Sequence, residues 1–184
     1  MFFFSVDNEL KFKPRSVEYA YLSILNNDLD TAQLIFESLD SPRARWGMAL
    51  VDILNGYIEK YPSYFEIRNF LEIDLDFLIK NEKIDYTEQF LGAIDILIGI
   101  NQETYKYVAR VMYENRFYKA AREYLEKSLK VFYNDPELHF LFAKYYINAH
   151  EYEDADRHIE ECLRILPDYY PAKILQKDIS RYLA

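Results

Sequence analysis

The sequence predicts an all-α fold, an α-solenoid of about ten helices packed as antiparallel pairs. Three observations carry the prediction. Apolar residues recur three and four positions apart along most of the chain, the spacing that lines one face of a helix. Breaks between these runs carry cap-plus-proline signals, at Ser41-Pro42 and Asp135-Pro136, where proline in the first turn loses no hydrogen bond. The C-terminal half matches itself when 102–135 is laid on 136–169. With only 4 Gly in 184 residues, the positive-φ turns of a many-stranded sandwich are hard to build, which argues against sheet.

The elements follow in order. Residues 1–15 read as an N-terminal arm holding Phe2, Phe3 and Phe4, an apolar cluster expected to pack within the chain. Residues 16–184 read as one helical domain. Ser16 caps a first helix to about Asn26, and Asn27-Asp28 breaks it before a second helix to about Leu39. A third carries Trp46, Ala49, Leu50, Ile53, Leu54 and Tyr57 at helical spacing. Ser63 and Glu66 have capping-box spacing and open a fourth helix to about Lys80; Asp85 and Glu88 open a fifth. Further helices are expected over 102–114, 117–132, 136–149, 152–165 and 170–183.

The internal repeat decides the architecture. The alignment puts Ala109 on Ala143, Tyr118 on Tyr152, and Ala121 on Ala155. Leu125 falls on Ile159, Leu129 on Leu163 and Glu126 on Glu160. Small residues 12 apart place one alanine on each helix of a hairpin, where close backbone approach needs a short side chain. The pattern resembles the tetratricopeptide repeat, most closely from Pro136 to Pro167, with Cys162 at a position usually held by a small residue and His139 at one often aromatic. A third copy is read over 13–46, with Ala20 and Ala32 again 12 apart and Leu29 and Phe36 in the matching apolar positions, although Asp40 breaks it. The helices of 42–100 diverge from the period, and 170–183 reads as a capping helix. The resemblance implies stacking of the pairs into a right-handed superhelix, because no unit covers its apolar face alone.

Charge and composition exclude several function classes. Hydrophobic residues at 51% and charged residues at 29% give a globular rather than a disordered chain. A net charge of −9 opposes nucleic-acid binding. The single cysteine, Cys162, forms no internal disulfide and fits a reducing compartment. No stretch is long and apolar enough for membrane insertion, and the N-terminus lacks the basic region of a secretory leader, so the expected location is cytoplasmic. His158 and Cys162, four apart, share a helix face but lack a second ligand pair, so no metal site is expected, and no cofactor. The acidic run Glu151, Glu153, Asp154, Asp156, Glu160 and Glu161 reads as a solvated face. No phosphate loop, nucleophile elbow or zinc-protease motif is present, so no catalytic residue is assigned and the chain is not expected to be an enzyme.

The resemblance instead implies a binding scaffold that holds a peptide or helical segment of a partner on the first helix of each pair. Its peptide-binding candidates are Lys106, Tyr107, Arg110 and Tyr113 in one repeat and Phe140, Lys144, Ile147 and Asn148 in the next, beside Glu103, Glu114, Glu137 and Leu141. The cations would favour a partner with acidic groups. A related branch clamps a carboxylate with a Lys/Asn/Arg set, but Arg110 and Leu141 break that pattern here. A chaperone for a secreted or assembling protein is the narrower alternative, by analogy alone. The alternative of another class is a small-ligand protein or enzyme using Trp46, Tyr57, Tyr64, Phe65 and Phe70 of the middle segment.

Overall fold

A computed structural model describes residues 15–183, so the expected arm, with Phe2, Phe3 and Phe4, lies outside the described residues apart from Arg15. Among them there are twelve α-helices, one π-helical stretch and no strand. In chain order they are α1 (Val17–Leu25), α2 (Leu29–Glu37), α3 (Pro42–Leu54), α4 (Ile67–Phe70), the π-helical stretch Leu71–Leu75, α5 (Asp76–Lys80), α6 (Ile84–Gly92) and α7 (Ile94–Leu97). Then follow α8 (Thr104–Glu114), α9 (Tyr118–Val131), α10 (Pro136–Asn148), α11 (Tyr152–Ile165) and α12 (Tyr170–Leu183). Ten helices were expected. Two of those are divided: α4 and α5 flank the π-helical stretch, and Ala93 separates α6 from α7.

The starts obey local chemistry. Ser16 Oγ accepts from the Tyr19 N–H at 3.2 Å, and Ser41 Oγ accepts from the Ala44 N–H at 3.1 Å. Asp135 Oδ1 accepts from the N–H groups of Glu137 and Leu138 at 2.9 and 3.3 Å. Each satisfies amides that a helix cannot pair internally. Glu66 reaches back to the Ser63 N–H at 3.1 Å, as a capping box would, and α4 begins at Ile67.

The chain forms two compact units, one ending at Asn101 and one beginning at Gln102. In the second, α8 packs on α9 and α10 on α11, and α12 covers α11. Helices α9 and α11 are equally long and coincide at both ends in the register that lays 102–135 on 136–169. Ala109, Ala121, Ala143 and Ala155 are all buried, which is what lets each hairpin close. In the first unit α1 packs on α2 and α2 on α3, with Ala20 and Ala32 buried.

A backbone feature ties the three hairpins together. Asn27, Arg116 and His150 all have positive φ, at 61°, 66° and 62°. Each stands seven residues after the first small residue of its hairpin (Ala20, Ala109, Ala143) and five before the second (Ala32, Ala121, Ala155). A left-handed residue at that point reverses the chain so that the two alanines face each other. Gly56, at φ 86°, stands seven residues after buried Ala49, but no helix follows until Ile67. The Asp52 carboxylate instead accepts from the Glu59 and Lys60 amides at 3.2 and 3.0 Å. The middle segment departs from the repeat period because that second helix is missing.

Candidate functional site

In the second unit the candidate face is built from α8 and α10, the first helices of their hairpins. Lys106 does not present the open cation expected of it. Its side chain is 3% exposed, and its ammonium pairs with Asp135, with Glu103 at 2.9 Å and with Glu137 at 3.0 Å. Burial works against that charge, but Asp135, Glu103 and Glu137 more than offset it and raise the pKa above the usual lysine value. Asp135 thus caps α10 and holds α8 with one carboxylate. Tyr107 and Leu141 are also buried rather than open, and the Tyr107 hydroxyl donates to Glu103. These positions departed from expectation because the amphipathic pattern of α8 cannot show that carboxylates at the start of α10 fold over its lysine.

The other candidates reach the surface in part. Arg110 is half-buried and its guanidinium pairs with Glu137. The Tyr113 hydroxyl donates to the Lys144 carbonyl at 3.2 Å, and Lys144 Nζ stands 5.0 Å from the Tyr113 ring centre. Phe140 stacks edge-on to Tyr169 at 5.4 Å. Phe140 and Ile147 also pack against the cluster of Ala143, Ala155, Ile159 and Cys162. Asn148 is exposed at the end of α10, and Glu114 is exposed at the end of α8. What remains open is an aromatic and aliphatic strip, with Lys144 as its cation and Asn148 at one end.

The histidines lie behind this strip. His139 Nε2 lies 3.0 Å from the Tyr133 carbonyl oxygen, and His139 Nδ1 lies 3.0 Å from His158 Nδ1. A carbonyl only accepts, so Nε2 carries the His139 proton and His158 Nδ1 donates to His139. The His158 ring stacks on Phe142 at 4.5 Å and on Tyr146 at 5.5 Å. Burial and the neighbouring His139 lower the His158 pKa to about 4. Burial also pushes the Cys162 thiol up to about 11, the behaviour of a packing residue rather than a nucleophile. Among the described residues no group of three or more His, Cys, Asp or Glu side chains converges to hold a metal ion. None of their helices is long and apolar enough to cross a membrane.

The first unit holds a cavity of 490 Å³ that the sequence did not indicate. Its wall draws on Val17, Tyr21, Arg43, Ile73 and Phe77. Behind it the Arg43 guanidinium grips fully buried Asp74 through two bonds of 2.8 and 2.9 Å, and the Tyr21 hydroxyl donates to Asp74 at 2.7 Å. Burial raises the Asp74 pKa, and Arg43 pulls it part of the way back. Asp74 lies in the π-helical stretch, a local geometry that recurs at functional sites. The aromatic set expected to line a pocket here does not do so. Phe70 is core, Tyr57, Tyr64 and Phe65 are exposed, and none of the five residues, Trp46 included, borders this cavity. Asp74 meets Tyr21 and Arg43 from distant points of the chain, which leaves no local signal to find them by.

No protein-family model matches the chain, and no curated protein matches it. Among solved structures it is similar to a chain of the crystal structure of the APC/C hetero-tetramer Cut9-Hcn1, at 16% identity and a TM-score of 0.49. The alignment covers 89% of this chain and 35% of that one, so the chain spans about a third of its length. Likeness at that level assigns no partner and no activity.

Proposed function

We propose that the chain is a protein-interaction scaffold whose second unit holds a peptide or helical segment of a partner on the strip formed by α8 and α10. The observation that carries this reading is the contrast along those two helices. Ala109 and Ala143 are buried against α9 and α11, while Tyr113, Phe140, Lys144 and Ile147 remain half-exposed side by side. Rigid aromatics with little conformational freedom to lose are the usual anchors of such contacts. The partner segment is mainly aromatic or aliphatic. Its acidic component is limited to what Lys144 can meet, since Lys106 and Arg110 are already engaged by carboxylates.

The net charge of −9 favours a protein over a nucleic-acid partner. A single buried thiol supports a reducing, cytoplasmic setting. Affinity capture from the source cell tests the scaffold reading. Wild type should retain a partner that Tyr113→Ala and Ile147→Asp together lose, while the double variant keeps the wild-type helical signal. Equal recovery by the double variant would remove the strip from consideration.

A further inference from the structure

We propose that the cavity of the first unit is a second docking site, distinct in chemistry from the strip, which takes a basic apolar segment of a partner protein: a hydrophobic side chain flanked by lysine or arginine. The cavity, at 490 Å³, has the size of a site that encloses a large side chain and its neighbours. Val17, Tyr21, Ile73 and Phe77 supply an apolar floor. That floor is held in place. The Tyr21 hydroxyl is fixed by Asp74, and its ring meets Phe36 and Phe77 edge-on at 5.3 and 5.1 Å. Ile73 stays 43% exposed at the edge. A preformed apolar surface loses little entropy when a side chain enters.

The charges select the partner's sign. Two cations line the cavity: Lys80 is paired with Asp76, and Arg43 has its two terminal nitrogens taken by Asp74 and lies over the Tyr21 and Trp46 rings, 4.4 and 5.5 Å from their centres. An anionic ligand would have to compete with a buried carboxylate for Arg43. Glu18, Glu72 and Asp76 also line the cavity. Asp76 is met by Lys80 at 2.6 Å and Glu72 by Arg68 at 3.2 Å. Glu18 has no hydrogen-bond or ion-pair partner among the described residues. The wider field has the same sign. Up to Asn101 the chain has 9 Lys and Arg against 17 Asp and Glu, a net of −8; from Gln102 on it has 13 against 14, a net of −1. Nearly all the net negative charge belongs to the cavity's unit, which attracts a cationic segment and repels an acidic one.

The test uses the full chain and a fluorescein-labelled synthetic peptide alternating lysine with leucine and phenylalanine, read by fluorescence anisotropy. The expected result is saturable binding that weakens with salt and falls about tenfold with Ile73→Ser and with Glu18→Lys, each the scale of one lost contact. Both substitutions lie at partly exposed positions, so loss of folding in one leaves the other to decide. Glu160→Lys, the same charge change on α11 of the second unit, should leave affinity within about twofold. Several results would overturn the proposal: equal binding of the peptide with glutamate for lysine, insensitivity to both cavity substitutions, or an equal loss with Glu160→Lys. Binding seen only after residues 1–14 are deleted would assign the cavity to that segment and overturn it too. Self-association abolished by Ile73→Ser would do the same in favour of a second copy. All of these readouts are independent of the α8–α10 strip.

Discussion

The Nδ1 atoms of His139 and His158 lie 3.0 Å apart across the α10–α11 hairpin, and with His139 fixed by the Tyr133 carbonyl the bridging proton belongs to His158. This bond requires His139 to be neutral, because its Nδ1 must accept. The His158 pKa is lowered from 6.5 to about 4, first by burial and then by His139, with Arg157 adding to the shift and Asp154 and Glu161 opposing it. The unfolded chain therefore binds a proton that the folded chain refuses, and the stability contributed above the unfolded pKa is lost as pH falls from about 6.5 toward 4. Thermal melts over that window should show a steeper decline in wild type than in His158→Phe, which keeps the stack on Phe142 and Tyr146. Parallel curves would remove His158 as the sensitive group.

Lys106 should be worth more to stability than any surface lysine. Replacing it with methionine keeps the stem but takes the ammonium away from Asp135, Glu103 and Glu137, leaving Arg110 on Glu137 as the remaining cation of the cluster. Removing one member of a buried ion cluster costs about 3–5 kcal/mol, to be read from urea unfolding. Lys177→Met, at an exposed position on α12, should change stability by less than about 0.5 kcal/mol. A similar small effect at Lys106 would mean that the cluster is open to water.

Ala155 is fully buried where α11 meets α10. Ala155→Leu should destabilise by about 1–3 kcal/mol through overpacking, and Ala143→Leu by a comparable amount. Ala120→Leu, one position before Ala121 on α9 and half-buried, should be tolerated better. The midpoint of urea unfolding checks the ordering. Equal tolerance at all three positions would contradict close approach of the helices at the small residues.

Gly47 and Gly92 separate close packing from mere helical position. A methyl group at Gly47 would run into the fully buried Phe36 ring, whereas at Gly92 it would meet nothing within 4 Å. Gly47→Ala should therefore cost about 1–3 kcal/mol, and Gly92→Ala, at the end of α6, should stabilise by up to about 1 kcal/mol. Unfolding curves of the two variants decide this directly.

The hairpins were legible in the sequence because their causes are local. Ser16, Ser41 and Asp135 each cap the helix that the sequence assigned to them, and the alanine spacing marks where the hairpin helices approach. The irregular middle was not legible. The missing helix after Gly56 depends on Asp52 satisfying the amides of Glu59 and Lys60 further along, and the cavity depends on Tyr21 and Arg43 meeting Asp74 from other helices. For the strip, periodicity put Lys106 and Tyr107 on the face of α8 that meets a ligand. The structure instead ties Lys106 to Asp135 and Glu137 at the start of α10, and Tyr107 to Glu103 beside it. A pattern along one helix records which side is apolar, not which polar groups another helix brings to it.

A partner segment held by α8 and α10 would stabilise both helices against opening. Hydrogen exchange followed by mass spectrometry, with and without the captured partner bound to the full chain, tests it most directly. Added protection over 104–114 and 136–148, lost together with binding in the Tyr113→Ala, Ile147→Asp variant, is the result expected. Binding that leaves both helices exchanging as they do in the free chain would contradict it.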